Sequence, residues 1–82
     1  MEYAQFLVLF RHGHWLVRSS QTGEEPFPNQ PSATKAAVEA ANESGKDGLP
    51  GAVIVQTGDD DYEVVWRYGR DHYPIEINSS IH

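Results

Sequence analysis

The sequence predicts an α+β domain of the order ββαββ, with a four-stranded, mainly antiparallel sheet and one helix packed on one of its faces. Three observations carry this expectation. Apolar residues alternate or run together in two separate stretches, with the period of strands. A single alanine-rich stretch lies between them. Turn residues split each apolar stretch in two, which is the pattern of a hairpin.

The first hairpin runs from Phe6 to Arg11, turns at His12-Gly13 and returns from His14 to Arg18. Gly13 supplies the positive φ that a two-residue turn requires, and His tolerates it better than most residues. That turn sets the register. Phe10 faces Trp15 and Val8 faces Val17 on one side of the sheet, while Leu9 meets Leu16, Leu7 meets Arg18 and Arg11 meets His14 on the other.

From Ser19 to Pro31 the chain is rich in Gly, Pro, Ser, Asn and Gln, with Glu24, Glu25 and Phe27 inside it, and it reads as a long loop (residues 19–31). Ser32 or Thr34 is then placed to cap a helix that reaches about Ser44, with Gly45 as its stop. Ala33, Ala36, Ala37, Val38, Ala40 and Ala41 give that helix a surface of small side chains, able to approach a sheet closely.

The second hairpin joins Ala52–Gln56 to Tyr62–Tyr68 through the acidic turn Gly58-Asp59-Asp60-Asp61. Pairing across it sets Val55 against Val64, Val53 against Trp66, and Ile54 against Val65 on the reverse side. The tail, residues 75–82, carries an alternating Ile75-Glu76-Ile77 that suits an edge strand or a strap. All 82 residues form one domain, whose thin core buries only about two-thirds of the unfolded chain's surface.

One helix, roughly 10 Å wide, covers only part of four strands. The covered face holds Phe6, Val8, Phe10, Trp15, Val17, Val53, Val55, Val64 and Trp66. The opposite face carries Leu7, Leu9, Leu16, Ile54 and Val65, rimmed by Arg11, His14, Arg18, Gln56, Glu63 and Arg67. An apolar centre with a polar rim is the anatomy of a partner or dimer contact.

Composition excludes several chemistries. The chain has no cysteine, so disulfides, thiolate metal sites and a thiol nucleophile are absent together, in keeping with the cytoplasm. Its first residues lack the positive charge of a signal peptide, and Phe6–Phe10 is too short to span a bilayer. Twelve acidic residues against six basic ones give a net charge of −6, which repels phosphate backbones and favours basic protein surfaces.

The chemical motifs are short. Arg11-His12-Gly13 resembles the signature of histidine phosphatases, a family that needs a much larger α/β domain with further arginines and a second histidine. His12, His14, Asp71 and His72 lack metal-site spacing, and the acidic turn lacks the ligand series of a calcium loop, so no metal or cofactor is expected. Tyr62, Val64, Trp66 and Tyr68 imitate an aromatic platform for single-stranded nucleic acid, but their alternation is that of a buried strand. No catalytic set is visible, and no enzymatic activity is expected.

Trp15-x-Val17, Thr34 with Ala37 and Ala40-Ala41, Val53-x-Val55 and a closing Tyr68-Gly69-Arg70-Asp71-x-Tyr73-Pro74 follow one another in a particular order. This order resembles a family of small bacterial domains of unknown function, over about residues 6 to 74. The turn departs from the family's Asp-Gly, and the loop before the helix is longer. The resemblance implies the hairpin–helix–hairpin fold and no activity. In size and acidity the chain is also similar to small phage-encoded inhibitors of bacterial defence, of the anti-CRISPR type, some of which occupy nucleic-acid sites on their targets. That similarity implies a place in the host cytoplasm.

The sequence therefore points first to a non-enzymatic binding module that sets Asp59, Asp60, Asp61 and Glu63, together with Glu24 and Glu25, against a basic surface of a nucleic-acid-handling protein. The alternatives are a regulatory or structural homodimer joined through Leu7, Leu9, Leu16, Ile54 and Val65, and a nucleic-acid-binding domain using Arg11, Arg18, Arg67 and Arg70.

Overall fold

The computed structural model describes residues 4–19, 23–71 and 73. Along the chain come β1 (Ala4–Arg11), β2 (His14–Ser19), β3 (Gly23–Phe27), α1 (Gln30–Lys46), β4 (Gly51–Gln56) and β5 (Tyr62–Arg67). The fold is α+β with one helix, as the sequence predicts. It has a fifth strand, however, and the sheet is mixed, in the order β3-β2-β1-β4-β5.

The extra strand, β3, lies inside the stretch expected to be a loop. Its sequence, Gly-Glu-Glu-Pro-Phe, is exposed except for the half-buried Phe27. It pairs with β2 so that Phe27 faces Trp15, Pro26 faces Leu16 and Glu24 faces Arg18. Proline and paired carboxylates are what an end strand tolerates, because they discourage further strands from adding to it.

The parallel pair follows from the helix. β1, β2 and β3 form an antiparallel meander that leaves the chain at the end of the sheet where β1 finishes. The 17 residues of α1 span roughly 25 Å, about the length of β1, and carry the chain back to the opposite end. β4 therefore enters alongside β1 in the same direction, pairing Phe6 with Val53 and Val8 with Val55. As a result the β1–β2 and β4–β5 turns sit at the same end of the sheet, here called the turn end, and α1 begins there.

The first hairpin has the predicted register, with Phe10 opposite Trp15 and Arg11 opposite His14. His12 and Gly13 both take positive φ, 55° and 85°, which gives a turn whose twist matches its strands. The second hairpin departs from the expected pairing. Ile54 faces Val64 while Val53 still faces Trp66, so Val65 is the extra residue of a β-bulge. The bulge turns Val65 towards the core, where it packs against the buried cluster, and leaves Val64 38% exposed. Tyr62, expected to be buried with Val64, is exposed as well.

The helix limits also move. Its N-cap is Asn29, whose Oδ1 accepts from the Ser32 backbone N–H at 2.9 Å, with Pro31 in the first turn; Ser32 and Thr34 lie inside the helix. At the other end α1 continues through Gly45. The left-handed residue is Gly48, φ 96°, with Leu49 N–H donating to Ser44 O at 2.9 Å and Gly48 N–H to Gly45 O at 3.0 Å. This is a Schellman closure.

The core lies between α1 and the sheet. Phe6, Val8, Val17, Val53, Val55 and Trp66 meet Ala33, Ala37, Val38 and Ala41. The three alanines have almost no accessible surface, which is the close approach their size allows. On the other face Leu9 and Leu16 are buried too, at 1% and 6% exposure. The strand or strap expected at residues 75–77, and the whole of the 75–82 tail, lie outside the described residues, as do residues 20–22, 72 and 74.

Candidate functional site

At the turn end the sheet outruns the helix. Phe10 and Trp15 form the cross-strand pair nearest the His12-Gly13 turn on the side that also carries Phe6 and Val8, one pair before Arg11 and His14, but α1 starts beside them rather than over them. Phe10 is consequently 47% exposed and Trp15 half-buried. Their ring centroids are 5.3 Å apart and the planes are inclined by 59°, so the two rings form a corner rather than a stack.

The corner is the floor of a cleft of about 420 Å³, walled by Gln30 at the start of α1 and by Gln56, Thr57, Gly58 and Asp59 of the β4–β5 turn. Gln56 fixes that wall to the floor. Its Oε1 accepts from the Phe10 backbone N–H at 3.0 Å, and its Nε2 donates to the carbonyl of Gly58 at 2.9 Å. Both functions of the amide are therefore engaged across two strands and a turn. Thr57 N–H donates to Asp61 O at 2.8 Å and closes the turn itself. A Cβ at position 58 would stand 3.0 Å from the carboxylate of the exposed Asp61, a close approach that a small shift of that side chain relieves.

Asp59, Asp60 and Asp61 are exposed at the tip of this turn, and Glu63 follows, exposed, on β5. Among the described residues the ion pairs are Arg18–Glu24 and Lys46–Glu43, so no described cation neutralises the turn. Glu24 is occupied differently: it holds Arg18 at 2.6 Å, with Arg18 Nε donating at 2.8 Å. Glu24 and Glu25 lie on β3, four strand spacings or roughly 19 Å across the sheet from β5. The acidic residues that the sequence groups together thus form two separate sets.

The remaining candidates are also spread out. On the face away from α1, Leu9 and Leu16 are buried, Leu7 and Ile54 half-buried, and Val65 is turned to the core by the bulge. Arg11 sits at the turn end, whereas Arg67 and Arg70 are at the far end, where Arg67 N–H donates to Asp71 Oδ2 at 2.8 Å. His12 and His14 are likewise separated from Asp71 by the length of the sheet. No group of three metal-ligating side chains occurs among the described residues, and no described helix is long and apolar enough to cross a membrane.

Comparison with protein-family models, curated proteins and solved structures finds no match to this chain in any of the three. The site must therefore be read from its own chemistry. The cleft is the part that sequence reasoning missed. Asn29 before Pro31 is the signal that could have revealed it, because placing the cap at Asn29 fixes where α1 begins and so which aromatic pair it leaves uncovered.

Proposed function

We propose that this chain is a non-enzymatic acidic binding module that presents its β4–β5 turn to a basic protein surface, one that otherwise holds nucleic acid. The observation that supports this reading is a run of three exposed carboxylates, neutralised by no described cation, on a turn closed by its own backbone bond and tied down by Gln56, beside an exposed aromatic side chain. Fixed carboxylates at successive positions imitate a short run of phosphates, and a net charge of −6 steers the module towards cations. The likeness in size and acidity to phage-encoded inhibitors agrees with this.

The alternatives have less support. A nucleic-acid-binding domain would need its arginines together, yet Arg18 is paired and Arg11 lies at the opposite end from Arg67 and Arg70. A homodimer through the face away from α1 would have to use a surface whose central leucines, Leu9 and Leu16, are already buried within one chain.

Affinity capture from a bacterial lysate at low and at high salt, with the Asp59→Asn, Asp60→Asn, Asp61→Asn triple variant alongside, tests the proposal. Nucleic-acid-handling proteins should be retained by the wild-type chain at low salt and lost both on raising the salt and with the variant. Retention that ignores salt and the variant would overturn it.

A further inference from the structure

We infer that the Phe10–Trp15 cleft seats the guanidinium of an arginine side chain projecting from the partner's basic surface. This deepens the reading of the acidic turn as a docking element and rests on it.

The walls of the cleft select among occupants. Two inclined aromatic rings offer π-faces to a cation, and Asp59 at the rim offers a carboxylate. An anion is disfavoured by Asp59 and its two acidic neighbours. The opposing influence is the start of α1, where Gln30 lines the cleft. A helix N-terminus carries roughly half a positive charge, and here Asn29 already accepts from one of the free N–H groups. Three formal carboxylates outweigh it even together with the single charge of Arg11, which is exposed at the same end of the sheet. An aliphatic side chain would cover Phe10 but give Asp59 nothing.

Among cations, the geometry favours arginine over lysine. Guanidinium is planar, weakly hydrated and stacks on aromatic faces while its edge donates to a carboxylate, whereas ammonium is a strongly hydrated point charge. Gln56 is already committed to the fold, since its Oε1 accepts from Phe10 N–H and its Nε2 donates to the Gly58 carbonyl, holding the turn against β1. Its part is to keep the rings and Asp59 at a fixed separation. The volume of about 420 Å³ lies near the low end of ligand pockets, which run from roughly 300 to 1,000 Å³, and suits a single side chain entering from a partner.

The chain carries its own reporters. Trp15 lines the cleft and Trp66 is 1% exposed in the core, so a ligand in the cleft moves one indole signal and leaves the other as a control for folding. The test is titration of the full ¹⁵N-labelled chain with nona-arginine and nona-lysine peptides at low salt, following both indole N–H resonances, with Trp15 assigned through Trp15→Phe. Both peptides should bind, nona-arginine about three- to tenfold more tightly, and only nona-arginine should shift Trp15. Phe10→Ala should abolish the preference, bringing nona-arginine to the affinity of nona-lysine for the same variant, with the Trp66 resonance unmoved as the sign that the core is intact. Asp59→Asn, which alters no packing, should weaken nona-arginine more than Asp60→Asn does.

Equal affinities with an unmoved Trp15 would overturn the inference and leave the acidic docking reading standing. Equal losses from Asp59→Asn and Asp60→Asn would overturn the placement of the cation. Failure of both peptides to bind would overturn the docking reading, and this inference with it.

Discussion

Two aromatic pairs flank α1, one at each of its ends, and they have opposite fates. At the C-terminal end Trp66 and Tyr68 meet edge to face with centroids 6.4 Å apart, and Tyr73, itself 46% exposed, stands 6.3 Å from Trp66. Trp66 is 1% exposed there. At the N-terminal end Phe10 and Trp15 are closer together, at 5.3 Å, but Phe10 is 47% exposed. The difference lies in the helix. Its last turns pass over Tyr68, with Gly45 allowing contact, whereas its first turn stops beside Phe10. An aromatic side chain, Trp66, is therefore core at one end, while another, Phe10, is available surface at the other.

The largest expected effect tests the buried end. Trp66→Ala should cost about 3–5 kcal/mol, against a total of roughly 4–12 kcal/mol for a domain of this length, so urea titration should find the variant marginal or unfolded. Phe10→Ala should cost about 1 kcal/mol or less, because half of that ring is already in water. If the two losses are similar, the turn end is structural and the contrast fails.

Gly45→Ala sharpens the same contrast. On an exposed helix surface alanine would gain about 1 kcal/mol in propensity. Here its Cβ would run into the ring carbons of Tyr68 nearest the backbone, which cannot swing clear as a flexible tip could. A net loss of about 1–3 kcal/mol is expected, and adding Tyr68→Ala should make the double variant less destabilised than the sum of the two. Additivity would mean that the contact contributes nothing.

These contacts also show what was legible beforehand. The first hairpin could be read to the residue because a two-residue turn leaves one register and His12-Gly13 can adopt its φ values. The second was displaced because a longer acidic turn imposes no register and the chain spends Val65 on a bulge. β3 was hidden because an end strand is made of residues that ordinarily mark loops, and only Phe27 opposite Trp15 betrays it. Gly45 resembles a helix stop in sequence, and its contact with Tyr68, 23 positions later, is a tertiary fact. The acidic turn was legible as composition, while its pairing with an uncovered aromatic corner depended on the parallel entry of β4, which brings both turns to one end.

A smaller effect addresses the open end itself. Gln56→Ala removes the amide that ties Phe10 N–H to the Gly58 carbonyl, and should cost about 1 kcal/mol, or a thermal midpoint lower by roughly 4–8 °C. Hydrogen exchange should accelerate at Phe10 and across residues 57–61 while the Trp66 surroundings stay protected. Acceleration at both ends would show that the turn end is coupled to the core.

The smallest effect has the opposite sign. Asp59, Asp60 and Asp61 repel one another on an exposed turn and no described cation offsets them, so converting all three to Asn should raise the thermal midpoint slightly at low ionic strength. The gain should vanish near 1 M salt, where the Debye length is about 3 Å and the repulsion is already screened in the wild-type chain. A variant that melts lower than wild type in both conditions would mean that the carboxylates brace the turn. One that melts higher only at low salt would mean that the turn holds a mutual repulsion that folding does not need, which is the condition expected of charges kept for a partner.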